Sequence, residues 1–551
     1  MVSPAGDASR EPVLPCAHLS RRQILAALGA SAAVGCRPSA PPAPPPVLAL
    51  QAGLAASAHR LWSPPPTAPT PHETVDIAIV GAGVAGLSAA WRLARAGYPG
   101  RVQLLELADR VGGTAGWGDG PNGAFPAGAH YITLPSPEAR HVRAMLADLG
   151  VITGFDAEGR PRYRDTDLCF APQERLYVAG QWIEGLWPTA LATAADRIQK
   201  EAWDALVDTW THAVGANGQP AFAIPVARSS QDPAIRVLAR VSFADWLDTQ
   251  GFDSPALRWT LEYATRDDFG TTLAETSAWA GLHYHCARRP DPADPVGTHV
   301  LTWPAGNGWL VDALAAALPW SVRPEVLVRR VEPVGDLHRL VFHEADGVGA
   351  IDARHVILAV PARVADHLVT RPEAPRPDFT PWRVVHLHCD APPASRGVPL
   401  AWDSVVYQGV GLGYVSNAHQ TGSYGGRTTL SWYEPLSGQD PAEARRALLE
   451  TPWADSAARA IEALRGCHPD LLDRVQGAHV GHWGHGTTRP VPGLHALDAG
   501  VLSAAAAPLP GVSFAHTDLS GMSLFEEASW HGVRAAEEAM AALGVTGESL
   551  L

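Results

Sequence analysis

Three glycines in Gly81-Ala82-Gly83-Val84-Ala85-Gly86 stand at the spacing that lets a backbone hold a pyrophosphate. Residues 75–80 before them form a short apolar run rich in β-branched side chains, which reads as a buried parallel strand. Residues 87–96 after them have helical composition and stop at Gly97, and residues 102–106 read as a second strand. In that context Gly81 permits the tight turn, Gly83 lets the backbone approach the phosphates, and Gly86 lets helix and strand pack closely. The helix N-terminus adds amide donors and a partial positive charge. Glu106 follows Gly86 by 20 residues, at the end of the second strand, where a carboxylate accepts hydrogen bonds from ribose hydroxyls. Strand, glycine loop, helix, strand and acid in this order predict a dinucleotide site rather than an ordinary strand–helix turn.

The next motif, Asp109-Arg110-Val111-Gly112-Gly113-Thr114, resembles the paired-glycine segment that follows the second strand in many flavoproteins. Adjacent glycines let the chain run close to a phosphate and ribityl chain. With it, the sequence resembles the flavin-containing amine oxidase and phytoene desaturase superfamily. Four later segments agree in order. Thr302-Trp303-Pro304-Ala305-Gly306-Asn307-Gly308 resembles the family's Pro-Gly-Gly segment. The run VLVRRV, ending at Val331, resembles the strand whose backbone meets the adenine. His355-Val356-Ile357-Leu358-Ala359-Val360-Pro361 resembles a closing strand of the FAD domain, and residues 512–536 resemble the terminal FAD motif. The resemblance implies FAD, held noncovalently because no cysteine stands in a covalent-flavin motif. It implies that Asp518 meets the ribityl chain, and that a helix starting near Ser523, after Gly521 and Met522, aims amide donors at the flavin. The chain departs from the family where Ala108 and Thr114 replace arginines and His516-Thr517 replaces Gly-Glu or Gly-Asp. Its single lysine, Lys200, matches no flavin-facing motif.

The expected fold is α/β, a Rossmann-like FAD-binding domain with an inserted mixed α+β substrate domain. FAD segments are expected at 74–145, 298–365 and 478–545, and substrate segments at 146–297 and 366–477. The second substrate segment alternates strand-like runs, then suggests one helix over residues 442–464. Hydride removal beside a flavin needs a dry pocket with aromatic walls. The candidate walls are Gly128-Ala129-His130-Tyr131, Gly413-Tyr414, Ser431-Trp432-Tyr433 and His482-Trp483-Gly484-His485, with Tyr131 and Trp483 singled out. His283 and His285 could share a strand face, and His479, His482 and His485 are evenly spaced. Neither set has the spacing that completes a metal site, so no metal is expected. Arg266-Asp267-Asp268 reads as a turn or an internal salt bridge rather than a cation site.

The N-terminus carries an address. Arg21-Arg22 precede an uncharged run over residues 24–34, too short to span a bilayer, so residues 1–36 read as a twin-arginine signal peptide. Ala33-Val34-Gly35-Cys36 resembles a lipoprotein cleavage box, which offers a lipid anchor at Cys36. Residues 37–73 are rich in proline and alanine and read as a tether. The net charge of −14 argues against a nucleic-acid partner. Six scattered cysteines suggest neither a disulfide framework nor a zinc site. The expectation is a flavoenzyme that folds around FAD, leaves the cytoplasm folded through the twin-arginine machinery, and works in the periplasm or cell envelope. It would take a hydride from a small organic substrate, most readily an amine, and pass electrons to oxygen or a quinone. A desaturase acting on an apolar substrate, and a noncatalytic flavin-fold envelope protein, are the alternatives.

Overall fold

The computed structural model describes residues 45–50, 54–64, 66–71, 73–288, 300–371, 376–422, 425–497, 502 and 509–551. The signal-peptide stretch and Cys36 lie outside these residues. Residues 46–551 pack as one unit.

Apolar, β-branched runs build a seven-stranded sheet. Val322–Arg323, Val102–Leu105, Thr74–Val80 and Gly347–Leu358 lie side by side, all parallel. Gly347–Leu358 is long enough to serve two partners along its other edge. Its first half pairs antiparallel with Leu337–Glu344, which pairs with Leu327–Val334; its end pairs parallel with Val512–Phe514. The helix Val84–Arg95 makes the crossover between the first two strands of the chain in this sheet. It packs on the C-terminal helix Phe525–Ala542 across a shared apolar core that includes Leu87, Leu93, Val533, Ala536 and Met540. The crossing is close because Gly532 has no side chain: a Cβ there would lie 2.1 Å from the Ala85 carbonyl oxygen.

A second, eight-stranded sheet runs Val47–Ala49, Val475–Thr488, Phe379–Cys389, Thr428–Pro435, Gly413–Ser416, Asp403–Val406, Glu174–Val178, Gln181–Glu184. Its central strands Phe379–Cys389 and Thr428–Pro435 are buried along their whole length. The helix Trp453–Arg465 contributes Ala457, Ala460 and Leu464 to the core against Val385, Leu387 and Val480. A helical layer with its own core holds Ala194–His212, Phe243–Thr249, Pro255–Phe269 and Ala278–Cys286.

Several boundaries differ from the sequence reading. Residues 478–488, expected in the third FAD segment, lie in Val475–Thr488 and hydrogen-bond inside the eight-stranded sheet. Their mixed burial suits either sheet, and only pairing with Phe379–Cys389 assigns them. The supposed tether contains a strand, Val47–Ala49, and a short helix, Leu54–His59. There, local apolar residues add to an existing sheet edge despite the surrounding prolines. The single helix expected over 442–464 is two, Pro441–Glu450 and Trp453–Arg465, broken at Pro452, which cannot donate within a helix. His283 and His285 lie on the helix Ala278–Cys286, not on a strand.

Candidate active site

The glycine loop does what its spacing implies. Gly81 has φ +95°, and its N–H donates to the Leu105 carbonyl at 2.8 Å. A Cβ at Gly86 would lie 1.9 Å from the Gly81 carbonyl oxygen, so the helix can close on the strand only with glycine there. Gly83 and Gly113 differ. A Cβ at Gly83 would meet only the Gly112 oxygen at 3.9 Å, and one at Gly113 only the Gly83 Cα at 3.7 Å. Both face open space, a cavity of about 590 Å³, within the range of cofactor sites. The Gly112 N–H donates to the Ala82 carbonyl at 2.9 Å, which ties the two glycine loops into one cradle.

Gly81, Val84, Ala85, Gly112 and Thr114 line the same cavity, and Ala82 supports it from beneath. The Ala82 N–H donates to Glu106 Oε2 at 2.7 Å, and the Ala108 N–H to Oε1 at 2.8 Å. These amides hold the Glu106 carboxylate at the cavity wall. Burial raises its pKa, and the amide donors oppose that shift.

Five forecast positions fall elsewhere. Val331 packs in the core of the seven-stranded sheet; Val326, Leu327 and Val328 line the cavity instead. The Val326 N–H bonds to the Glu106 carbonyl at 2.8 Å, and the register shifts between Val328 and Arg330, an irregularity that motif spacing does not encode. Arg110 is exposed and sits over the Trp117 ring at 4.8 Å. Asp518 is buried and accepts from the Ala362 N–H at 2.8 Å, so it joins two elements under the cavity, while His516 and Thr517 line it. Burial opposes its ionisation, but His516 and the Ala362 amide hold its pKa below the usual carboxylate value. Gly521 and Met522 sit behind the wall; Met522 is fully buried in the helical core. Ser523 does line the cavity, and its Oγ accepts from the Thr488 N–H at 2.8 Å. The helix itself begins at Phe525, two residues later than expected.

A smaller cavity of about 180 Å³ shares Thr114, Asn307, Trp483, Ser523 and Phe525 with the larger one. Tyr131, His130, Trp382 and Tyr433 form its aromatic side. The Tyr433 hydroxyl donates to the Gly128 carbonyl at 3.1 Å, and Trp483 Nε1 donates to the Ala127 carbonyl at 3.2 Å. Both bonds fix rings against the segment that carries Tyr131. Burial depresses the His130 pKa to about 4, which keeps this imidazole neutral. Of the other forecast walls, Trp432 and Tyr414 are core residues; the Tyr414 hydroxyl bonds to Arg175 at 2.6 Å.

Asp267, Asp268 and Glu526 bring carboxyl groups to the smaller cavity. They lie on helices, Pro255–Phe269 and Phe525–Ala542, rather than at the expected turn. Arg288 neutralises Asp268 at 2.5 Å, the internal salt bridge that the sequence suggests. Asp267 has no hydrogen-bond or ion-pair partner among the described residues. Burial, reinforced by the neighbouring Asp268 charge, pushes its pKa up to about 7. Trp259, Tyr263 and Asp267 at four-residue spacing set two aromatics and a carboxylate on one helix face, a signal that could have found this group. Trp382 had no such signal, because its strand is buried on both faces.

A model of the flavin containing amine oxidoreductase family matches residues 84–540. The chain belongs to this family. Among relatives, it is 31% identical over 183 residues to a putrescine oxidase of Kocuria rosea, covering 33% of this chain and 32% of that protein. It is 28% identical over 288 residues to polyamine oxidase 1 of Oryza sativa subsp. japonica, covering 52% of each. These matches span a third to about half of the relatives' own length. In fold, it resembles a redesigned putrescine oxidase, with a TM-score of 0.60 at 18% identity, covering 85% of this chain and 99% of that one. It also resembles a cyclohexylamine oxidase from Brevibacterium oxydans, with a TM-score of 0.59 at 19% identity, covering 85% and 98%.

FAD is the cofactor of this amine oxidoreductase family, and the residues present fit it. The bare faces of Gly83 and Gly113 leave room for a pyrophosphate, and Glu106 stands at the wall where a ribose would bond. The start of the Phe525–Ala542 helix carries Leu524 and Phe525 to both cavities, and its amides contribute partial positive charge. Lys200 takes no part: it pairs with Asp204 at 2.6 Å on the Ala194–His212 helix.

Proposed function

We propose that this protein oxidises a small cationic amine in the aromatic cavity beside the FAD site. The observation that carries the proposal is the unpartnered Asp267 carboxyl on the wall of that cavity. A carboxylate on a cavity wall without a partner is unfavourable, and a substrate ammonium relieves that cost. The relatives named for putrescine and polyamine oxidation favour a substrate with more than one cationic nitrogen. One such nitrogen would rest at Asp267 while a neutral amine is presented near Thr114 and Ser523.

When bound, FAD supplies the hydride acceptor. The chain contributes position and environment. Tyr131, Trp382 and Tyr433 exclude water and offer ring faces to a cation. Neutral His130 adds no competing positive charge to the pocket. The cavity is small and aromatic, which favours an amine over the long apolar tunnel that a desaturase substrate needs. Electrons pass on to oxygen or a membrane quinone.

The test is the absorption spectrum of the FAD-loaded protein before and after anaerobic addition of an amine panel. Bleaching by a diamine, with binding weakened about 10- to 100-fold in Asp267→Asn and a smaller change in the limiting rate, supports the proposal. Bleaching only by uncharged apolar compounds refutes it in favour of a desaturase. No bleaching by any donor favours the noncatalytic alternative.

Export is part of the same proposal and rests on Arg21-Arg22 and the uncharged run at 24–34. Replacing both arginines by lysine should leave the flavoprotein in the cytoplasmic fraction, and Cys36→Ser should release it from the membrane. Unchanged fractionation of either variant refutes the corresponding step.

A further inference from the structure

The segment ahead of the glycine loop lies outside the family match, which begins at residue 84, and its composition reads as a tether. We infer that its described parts, residues 46–50 and 54–64, form a strap that closes the FAD cavity and retains the cofactor. Two anchors hold it, one on each sheet. At the first, Val47–Ala49 adds a parallel strand to Val475–Thr488, with Val47 opposite Ala478 and Ala49 opposite Val480. The Ala478 N–H donates to the Pro46 carbonyl at 2.9 Å, and the Leu50 N–H to the Val480 carbonyl at 2.7 Å, so both ends of the added strand are bonded.

At the second anchor, Leu61 is buried in the core of the seven-stranded sheet with Val328, Phe342 and Leu368. Arg329, itself only 4% exposed, donates from Nη2 to the Ser63 carbonyl at 2.5 Å and the Pro64 carbonyl at 3.2 Å. The strap thus brings two acceptors to this guanidinium, whose Nε has none among the described residues. The strap therefore completes the body rather than trailing from it.

Between the anchors, Leu50 and Ala58 line the same cavity as Gly83 and Gly113. Leu449 and Trp453, from the helices over the eight-stranded sheet, line it as well. A cofactor held in that cavity leaves only after the strap lifts, and by linkage the bound cofactor stabilises the docked strap. This gives a noncovalent flavin a kinetic latch made of residues outside the matched region.

The test uses FAD-loaded full-length protein, the variant Leu50→Pro, which cannot donate to Val480, and a deletion of residues 1–64. The readouts are the rate at which free-FAD fluorescence appears after dilution, and trypsin cleavage after the exposed Arg60 with and without FAD. Release about tenfold faster in both variants, together with FAD-dependent protection of Arg60 in the unaltered protein, supports the strap. Release within about twofold of the unaltered protein in Leu50→Pro, or cleavage at Arg60 indifferent to FAD, overturns it. If the deletion does not fold, Leu50→Pro and the cleavage assay decide. The inference rests on FAD occupying the large cavity. Protein that takes up no FAD refutes that occupancy and the strap together, whereas unchanged release from loaded Leu50→Pro refutes the strap alone.

Discussion

At the residue scale, Gly83 and Gly86 stand three positions apart and have opposite reasons to lack a side chain. Gly83 has φ −74°, so its backbone suits any residue, and its missing Cβ faces the cavity. Gly83→Val should fold, with the thermal midpoint of the FAD-free protein nearly unchanged, but fail to take up FAD in a titration followed by flavin fluorescence. Gly86→Ala places a methyl 1.9 Å from a backbone oxygen and should lower the midpoint strongly even without FAD. Asp267 yields a pH prediction. Its carboxyl is raised to about 7, so it is protonated at pH 6 and charged at pH 8. Diamine binding by the oxidised protein should tighten as pH rises through 7, and Asp267→Asn should remove that dependence. Motif spacing led to Gly83 and Glu106, which both line the large cavity, because a strand, a glycine turn and a helix fix the distances along one short stretch of chain. It placed Val331 and Arg110 wrongly, because whether a side chain faces the cavity depends on strand register and on neighbours such as Trp117.

At the scale of elements, the site rests on two helices that touch through backbone. Gly532 lets Phe525–Ala542 approach Val84–Arg95, and those helix starts face the large cavity. Gly532→Leu should separate them at a cost of about 1–3 kcal/mol in a denaturant titration, and weaken FAD retention as the second helix start shifts. The tight contact between these helices was invisible in sequence, because a glycine inside a helical run signals weakness before it signals packing. The helix Ala194–His212 was more legible. Its start at Thr193 carries a capping box with Asp196, a local device that needs no tertiary partner.

At the scale of the whole molecule, Glu527 joins layers. It is fully buried, and its Oε1 accepts from the Val226 N–H at 2.6 Å, which fastens the C-terminal helix to the loop beside the helical layer. Burial lifts its pKa to about 8, from an ordinary value of 4.5. The folded protein therefore holds this proton where the unfolded chain has released it. The contribution from Glu527 to stability declines as pH rises from about 4.5 toward 8, and is fully lost above that. The thermal midpoint of the FAD-loaded protein should fall between pH 5 and 8, and Glu527→Gln should flatten that fall. A midpoint that rises over this interval in the unaltered protein would contradict the assignment.

The dinucleotide loop, the FAD-binding strands and the α/β class follow from local rules: β-branched runs, glycine spacing and an acid at a strand end each act over a few residues. The smaller aromatic cavity does not. Asp267 gained its meaning only when Arg288 folded back to bond its neighbour Asp268, leaving the Asp267 carboxyl on the cavity wall. Trp382 reached the cavity through a strand with no exposed face to mark it. The segment from Pro46 to Pro64 reads as a spacer because composition records what a stretch can bury by itself. A sheet edge and a buried arginine elsewhere in the chain supply the partners it lacks, and partners remote in sequence exist only once the chain has folded.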